Sequence, residues 1–183
     1  MTDENTIEWD EITVDDAPRL RITAGAGGVR SIDFDCGRPA VGERNSGNVI
    51  VREAALQLQA YFAGRLREFH LPLDFHGTEF QKRVWRQLET IRYGETRSYA
   101  QVAIAIGAPK AVRAVGAANG ANPIPIVVPC HRVIGSAGKL VGYGGGLALT
   151  QVQLSTSPKA DAPAGTASSI QTVSAPELAT LAV

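Results

Sequence analysis

The chain is short of the residues that build several whole classes of protein. Two cysteines, Cys36 and Cys130, cannot make a disulfide framework and read as reduced thiols of a cytoplasmic protein. Histidine is scarce at three, and Cys36, His70 and His76 lack zinc-ligand spacing, so the pattern calls for no metal. No long apolar run exists: the longest, Ile124 to Cys130, falls far below the roughly 20 residues that span a bilayer. The first sixteen residues hold seven acids and no Lys or Arg, the opposite of a secretory leader. What remains is ordinary. With 44% apolar and 20% charged residues over 183 positions, the chain has the composition of one globular domain or two small ones.

The net charge of zero hides an asymmetry. Residues 1–75 carry 8 basic and 13 acidic side chains, whereas residues 76–150 carry 9 and 3. An acidic segment is thus joined to a basic one of net charge +6, which points to a polyanionic partner for one half only.

The patterning divides the chain in the same place, and the fold class read from it is α+β. Residues 1–76 read as a small α/β domain. Leu20 and Ile22, then Val29, Ile32 and Phe34, alternate around Gly25–Gly28 as a hairpin, and residues 37–48 have loop composition. The period turns helical from Val49 to Ala63, with Gly64 to stop it, and Leu71, Leu73 and Phe75 suggest a short strand. Residues 77–154 are mainly helical. Phe80, Val84, Leu88 and Ile91 share one face of a helix ending near Tyr93-Gly94. Ser98 is placed to cap a helix that Gly107 stops, and Pro109 to open another running to Asn119-Gly120. Two short helices across a tight turn make a helix-turn-helix. Val133-Ile134 and Lys139–Val141, around Gly135–Gly138, suggest a hairpin wing. Residues 155–183, rich in Ser, Thr, Ala and Pro with three charges, read as a disordered tail.

Two features carry chemistry. The second helix of the pair is built of Ala111, Ala114, Gly116, Ala117 and Ala118, with Arg113 its only long side chain after Lys110. Small residues allow close approach but read no bases, and by themselves are more often the mark of close helix packing. The second feature is Cys130-His131-Arg132, bracketed by Pro123, Pro125 and Pro129. An adjacent imidazole and a cation favour a thiolate, and a rigid turn would aim it. A buried structural cysteine remains open on these residues alone.

The wider setting is more specific. Tyr93-Gly94-Glu95-Thr96, Ser98-Tyr99, Arg113-Ala-Val-Gly116, Asn119, Asn122-Pro123-Ile124-Pro125, Ile126-Val-Val-Pro-Cys-His-Arg-Val-Ile134 and Gly142-Tyr143-Gly-Gly-Gly-Leu147 resemble the O6-alkylguanine-DNA alkyltransferases, the methylated-DNA–protein-cysteine methyltransferases. The likeness extends, more weakly, back to about residue 15. It implies a two-domain α+β protein with a winged helix-turn-helix-like catalytic domain at 77–154, acting as a monomer on double-stranded DNA that contains O6-alkylguanine. It implies no cofactor, no metal and no membrane. In this family Cys130 would be the alkyl acceptor, reacting once, with His131 as its base through a water. Asn122 would hold the active-site backbone, and Tyr99 would assist the departing guanine and crowd its phosphate. Arg113 would fill the gap left by a flipped nucleotide, with Ala114, Gly116, Arg132 and Ser136 also on the DNA. Pro125, Tyr143 and Gly144 would line the base pocket. Flipping is demanded by access, since a thiol cannot reach a base inside a duplex, and a small-residue helix suits the minor groove.

One departure stands out. The family pattern continues into a helix whose Glu orients the active-site histidine, but Leu147–Ser157 here contains no carboxylate. The alternative of a lesion-binding module with impaired or no transfer follows from that gap. An unrelated Cys-His hydrolase is disfavoured, because no oxyanion-hole motif accompanies the cysteine.

Overall fold

The computed structural model describes residues 6–14, 19–34 and 39–135. The amino-terminal part is a four-stranded sheet of β1 (Glu8–Ile12), β2 (Leu20–Gly25), β3 (Gly28–Phe34) and β4 (Glu43–Arg44), in the order β3-β2-β1-β4. The β2–β3 hairpin forms where alternation places it. Gly28 adopts φ 140°, and a Cβ there would collide with the carbonyl of Pro72, which accepts the Val29 N–H at 2.8 Å.

The strands β1 and β4 are not legible from hydropathy. The acid-rich segment Glu8-Trp-Asp-Glu-Ile12 pairs antiparallel to β2 and parallel to β4. Its charge is absorbed by ion pairs: Glu11 with Arg21 at 2.8 Å and Asp10 with Arg44 at 2.9 Å, while both guanidiniums lie over the Trp9 ring. The expected strand at Leu71–Phe75 is reduced to one bridge, Leu73 to Val29, because this segment follows β3 only briefly before turning away.

Helix α1 (Val49–Phe62) is capped by Asn48, whose side chain accepts from the Ile50 and Val51 amides, and lays Val51, Ala54, Leu58 and Tyr61 against the sheet. Helix α2 (Glu79–Glu89) opens with a reciprocal Thr78–Gln81 capping box. It stops at Thr90, earlier than its apolar period suggests, and Ile91 is buried from the following turn rather than from the helix. The apolar spacing continued past the hydrogen-bonded helix because both segments face one core.

Leu20, Ile22 and Leu58 from the first half, and Val84, Trp85, Leu88, Val102 and Val115 from the second, belong to one cluster of buried residues. Phe75 packs on Trp85 with ring centroids 5.6 Å apart, and Ile32 donates its N–H to the Pro123 carbonyl at 2.9 Å. The loop preceding Cys130 is therefore anchored directly on β3.

Candidate active site and nucleic-acid interface

Two short strands bring the chemistry together. Strand β5 (Arg97–Ser98) pairs in parallel with β6 (Val133–Ile134), joining residues 36 apart in sequence. Val133-Ile134 thus pairs with β5 rather than opening only the expected hairpin, whose other arm lies outside the described residues. Ser98 is both the end of β5 and the N-cap of α3 (Tyr99–Ala105), with its Oγ accepting from the Gln101 amide at 3.2 Å. The first residue of α3, Tyr99, is accordingly held next to the turn that precedes β6. Burial raises the Tyr99 pKa and proximity to Cys130 raises it further, so the phenol keeps its proton at neutral pH.

Gly107, at φ 72°, ends the first helix of the pair. The second, α4 (Val112–Gly120), begins three residues later than Pro109 suggests. The Ala111 N–H bonds to the Ala108 carbonyl at 2.8 Å, making Pro109-Lys110 the centre of a turn instead of a first helical turn. Val115, Ala118 and Asn119 are buried on the inner face of α4, and the Trp85 indole donates to the Ala118 carbonyl at 2.8 Å. Arg113, Ala114 and Ala117 are exposed on the outer one. A Cβ on Gly116 would come 3.9 Å from the Tyr99 ring, an ordinary contact that sets this glycine against the tyrosine.

Cys130–Arg132 form one turn of 3₁₀ helix. The bond from the Cys130 amide to the Val128 carbonyl, at 2.8 Å, starts the turn, and that from Arg132 to Pro129, at 3.0 Å, closes it. The segment leading in is strained. Ile126, β-branched and 1% exposed, sits at φ 75°, a conformation worth about 1–3 kcal/mol that persists only when its surroundings impose it. Asn122 supplies part of that constraint: its side chain donates to Val128 O at 2.9 Å and accepts from the Ile124 amide at 3.0 Å. Pro125 is buried in the same loop.

Cys130 is 2% exposed and His131 1%. Neither ring nitrogen of His131 has a hydrogen-bond partner among the described residues. Burial, and secondarily the Arg132 guanidinium, push its pKa down to about 3, so the imidazole is neutral at physiological pH.

Arg132 departs from the expected DNA contact. It is buried, with Nη1 donating to the Ile91 carbonyl at 2.7 Å and its guanidinium 5.6 Å from the centre of the Tyr93 ring. Its neighbours explain the inward turn: Tyr93 gives the cation an aromatic face and Ile91, just after α2, a carbonyl to accept its N–H. Sequence reasoning also passed over the role of Asn119, whose Nδ2 donates to the Cys130 carbonyl at 3.3 Å. Eleven residues separate the two, and only a polar side chain in an otherwise apolar helix face hinted at it. Ser136, Tyr143, Gly144 and the stretch 147–157 lie outside the described residues.

The chain is similar to known proteins in sequence and fold. The family profile described as "6-O-methylguanine DNA methyltransferase, DNA binding domain" matches residues 79–156. A methylated-DNA–protein-cysteine methyltransferase of Mycolicibacterium paratuberculosis is 67% identical over 101 residues, 55% of this chain and 61% of the relative. A constitutive one from Bacillus subtilis is 61% identical over 93 residues, covering 51% of this chain and 56% of its own length. The sequence matches thus span about three fifths of these curated relatives. The crystal structure of Mycobacterium tuberculosis O6-methylguanine methyltransferase superposes with a TM-score of 0.75 at 43% identity, over 87% of this chain and 97% of that one. A second, of M. tuberculosis OGT in complex with DNA, gives 0.72 at 46% identity, over 82% and 95%.

Proposed function

The chain belongs to the O6-methylguanine DNA methyltransferase family, and from that premise we propose that it repairs DNA by moving an alkyl group from guanine O6 to Cys130. One observation carries the reading: Cys130 stands in a proline-braced turn with Tyr99 beside it, below a helix that offers Arg113 on a face of small residues. The partner is double-stranded DNA containing O6-alkylguanine, met from the minor groove by a monomeric, cytoplasmic protein. No described helix is long and apolar enough to cross a membrane.

In the reaction the Cys130 proton passes to His131 through a water, and the thiolate attacks the alkyl carbon, displacing guanine from it. An S–C bond forms as the C–O6 bond breaks. The electron pair stays on guanine, which takes up a proton with the help of the Tyr99 hydroxyl. The thioether is permanent and each molecule reacts once. Asn122 keeps the turn in shape, while Pro125, Tyr143 and Gly144 form the base pocket. Arg113, Ala114, Gly116 and Ser136 meet the DNA, with Arg113 occupying the space the flipped nucleotide leaves.

A second reading, lesion binding with impaired transfer, has its own support in His131. An imidazole held near 3 is a weak base, and Leu147–Ser157 brings no carboxylate to strengthen it. Mass spectrometry after incubation with a duplex carrying O6-methylguanine separates the two. Transfer adds one CH₂ to the peptide containing Cys130 and none to a Cys130→Ala variant that still binds the duplex. Binding with no added mass on the wild-type protein would replace the first reading by the second.

A further inference from the structure

We infer that Asn119 is a positioning residue for the nucleophile, tying the DNA-facing helix α4 to the backbone of Cys130; the inference rests on the alkyl-transfer reading above. Asn119 is 3% exposed and shares the inner face of α4 with Val115 and Ala118, where an aliphatic side chain would be the cheaper occupant. Among the described residues its Oδ1 is buried without a hydrogen-bond partner, so the amide carries a desolvation cost that its donor end offsets. Among the same residues that end makes one bond, to the carbonyl of Cys130 at 3.3 Å.

The bond is placed where it controls the reacting atoms. The Cys130 carbonyl also accepts the Val133 N–H that leads into β6, so two donors converge on the peptide group joining Cys130 to His131. Rotation of that peptide moves the sulfur-bearing and imidazole-bearing carbons together. Asn122 and the Cys130 amide both hold Val128 O, which fixes the chain before the nucleophile. Asn119 fixes it after. It reaches out from α4, itself pinned to α2 by the Trp85–Ala118 bond, so the recognition helix and the nucleophile move as one body. An in-line displacement at a single carbon is sensitive to such placement, since a misplacement of about 1 Å costs on the order of 10²-fold in rate.

The test compares Asn119→Leu with Val84→Ala, a cavity-forming change in the same core but on α2 instead of α4. A structural role predicts that reactivity follows stability; a positioning role predicts that the two separate. Asn119→Leu removes the unpartnered Oδ1 together with the donor, so its melting temperature stays within about 5 °C of the wild type. Its maximal rate of alkylation by free O6-benzylguanine falls about tenfold or more, with little change in the half-saturating concentration. Val84→Ala melts lower, yet reacts within about twofold of the wild type at a temperature where both are folded. Amide hydrogen exchange gives a readout independent of transfer: Arg132 and Val133 exchange at least about tenfold faster in Asn119→Leu, while α1 is unchanged. An Asn119→Leu rate within twofold of wild type, or a loss matched by Val84→Ala, overturns the inference. If the wild-type protein transfers no alkyl group, the functional reading fails and exchange alone judges Asn119. Unaltered exchange at Arg132 and Val133 then refutes its hold on the turn.

Discussion

Acid should weaken this protein in good part through His131, and the size of that side chain's effect follows from the site. His131 is buried and neutral with a pKa of about 3, against 6.5 for the unperturbed imidazole. Above pH 6.5 both folded and unfolded chains hold the ring neutral, and its contribution to stability is complete. As the pH falls below 6.5 the unfolded chain takes up a proton that the folded chain refuses until near pH 3. Stability is therefore lost between those limits, with a slope approaching about 1.4 kcal/mol per pH unit. The full window is worth on the order of 5 kcal/mol, and about 2–3 kcal/mol is already gone by pH 4.5. Urea unfolding of the wild type and of His131→Leu, from pH 7.5 to 4.5, isolates the term because the carboxylates common to both cancel. The leucine variant should match or approach wild-type stability at pH 4.5 even where it is weaker at pH 7.5. Parallel pH profiles for the two proteins would refute the burial of a neutral imidazole, and with it the account of why this histidine needs help to act as a base.

Replacing Arg113 by Ala should slow repair of a duplex about tenfold while leaving the reaction with free O6-benzylguanine nearly unchanged, because only the duplex requires extrusion costing a few kcal/mol; equal effects on both substrates would remove its gap-filling role. Tyr99→Phe should slow both reactions, since its hydroxyl serves the leaving guanine in either case, and a normal free-base rate would exclude that assistance. Arg132→Met should cost about 1.5–3 kcal/mol of stability through the lost bond to Ile91, with DNA affinity unaltered in a gel-shift titration; weaker binding at undiminished stability would return this arginine to the DNA. Duplex binding itself should be independent of sequence, and its affinity should fall steeply with salt, by a slope near −0.9 per phosphate contacted. A flat salt titration would show that the basic segment is not the contact surface.

Local chemistry determined much of this protein before any folding is considered. Helix α1 is written by its apolar period and the glycine after it, α3 by Ser98 and Gly107, and a candidate nucleophile is marked by a cysteine, a histidine and three prolines in one stretch, though the same residues also fit a structural cysteine. Such signals are legible because capping, φ restriction and side-chain period act within a few residues. Partners distant in the chain decided the rest. Strand β1 is acid-rich and becomes a strand only when Arg21 and Arg44 arrive to neutralise it, and β5 and β6 are two residues each, too short to carry any period. Pro109 is compatible with both a helix start and a turn, and the Ala111–Ala108 bond chose the turn. Arg132 reads as a surface cation beside a nucleophile, but the carbonyl at the end of α2 and the Tyr93 ring form a better site for it inside. Asn119 shows the division most clearly. Its sequence neighbours make it an oddity on an apolar helix face, and only the packing of α4 against the Cys130 turn, which satisfies a buried carbonyl, gives its amide a reason to be there.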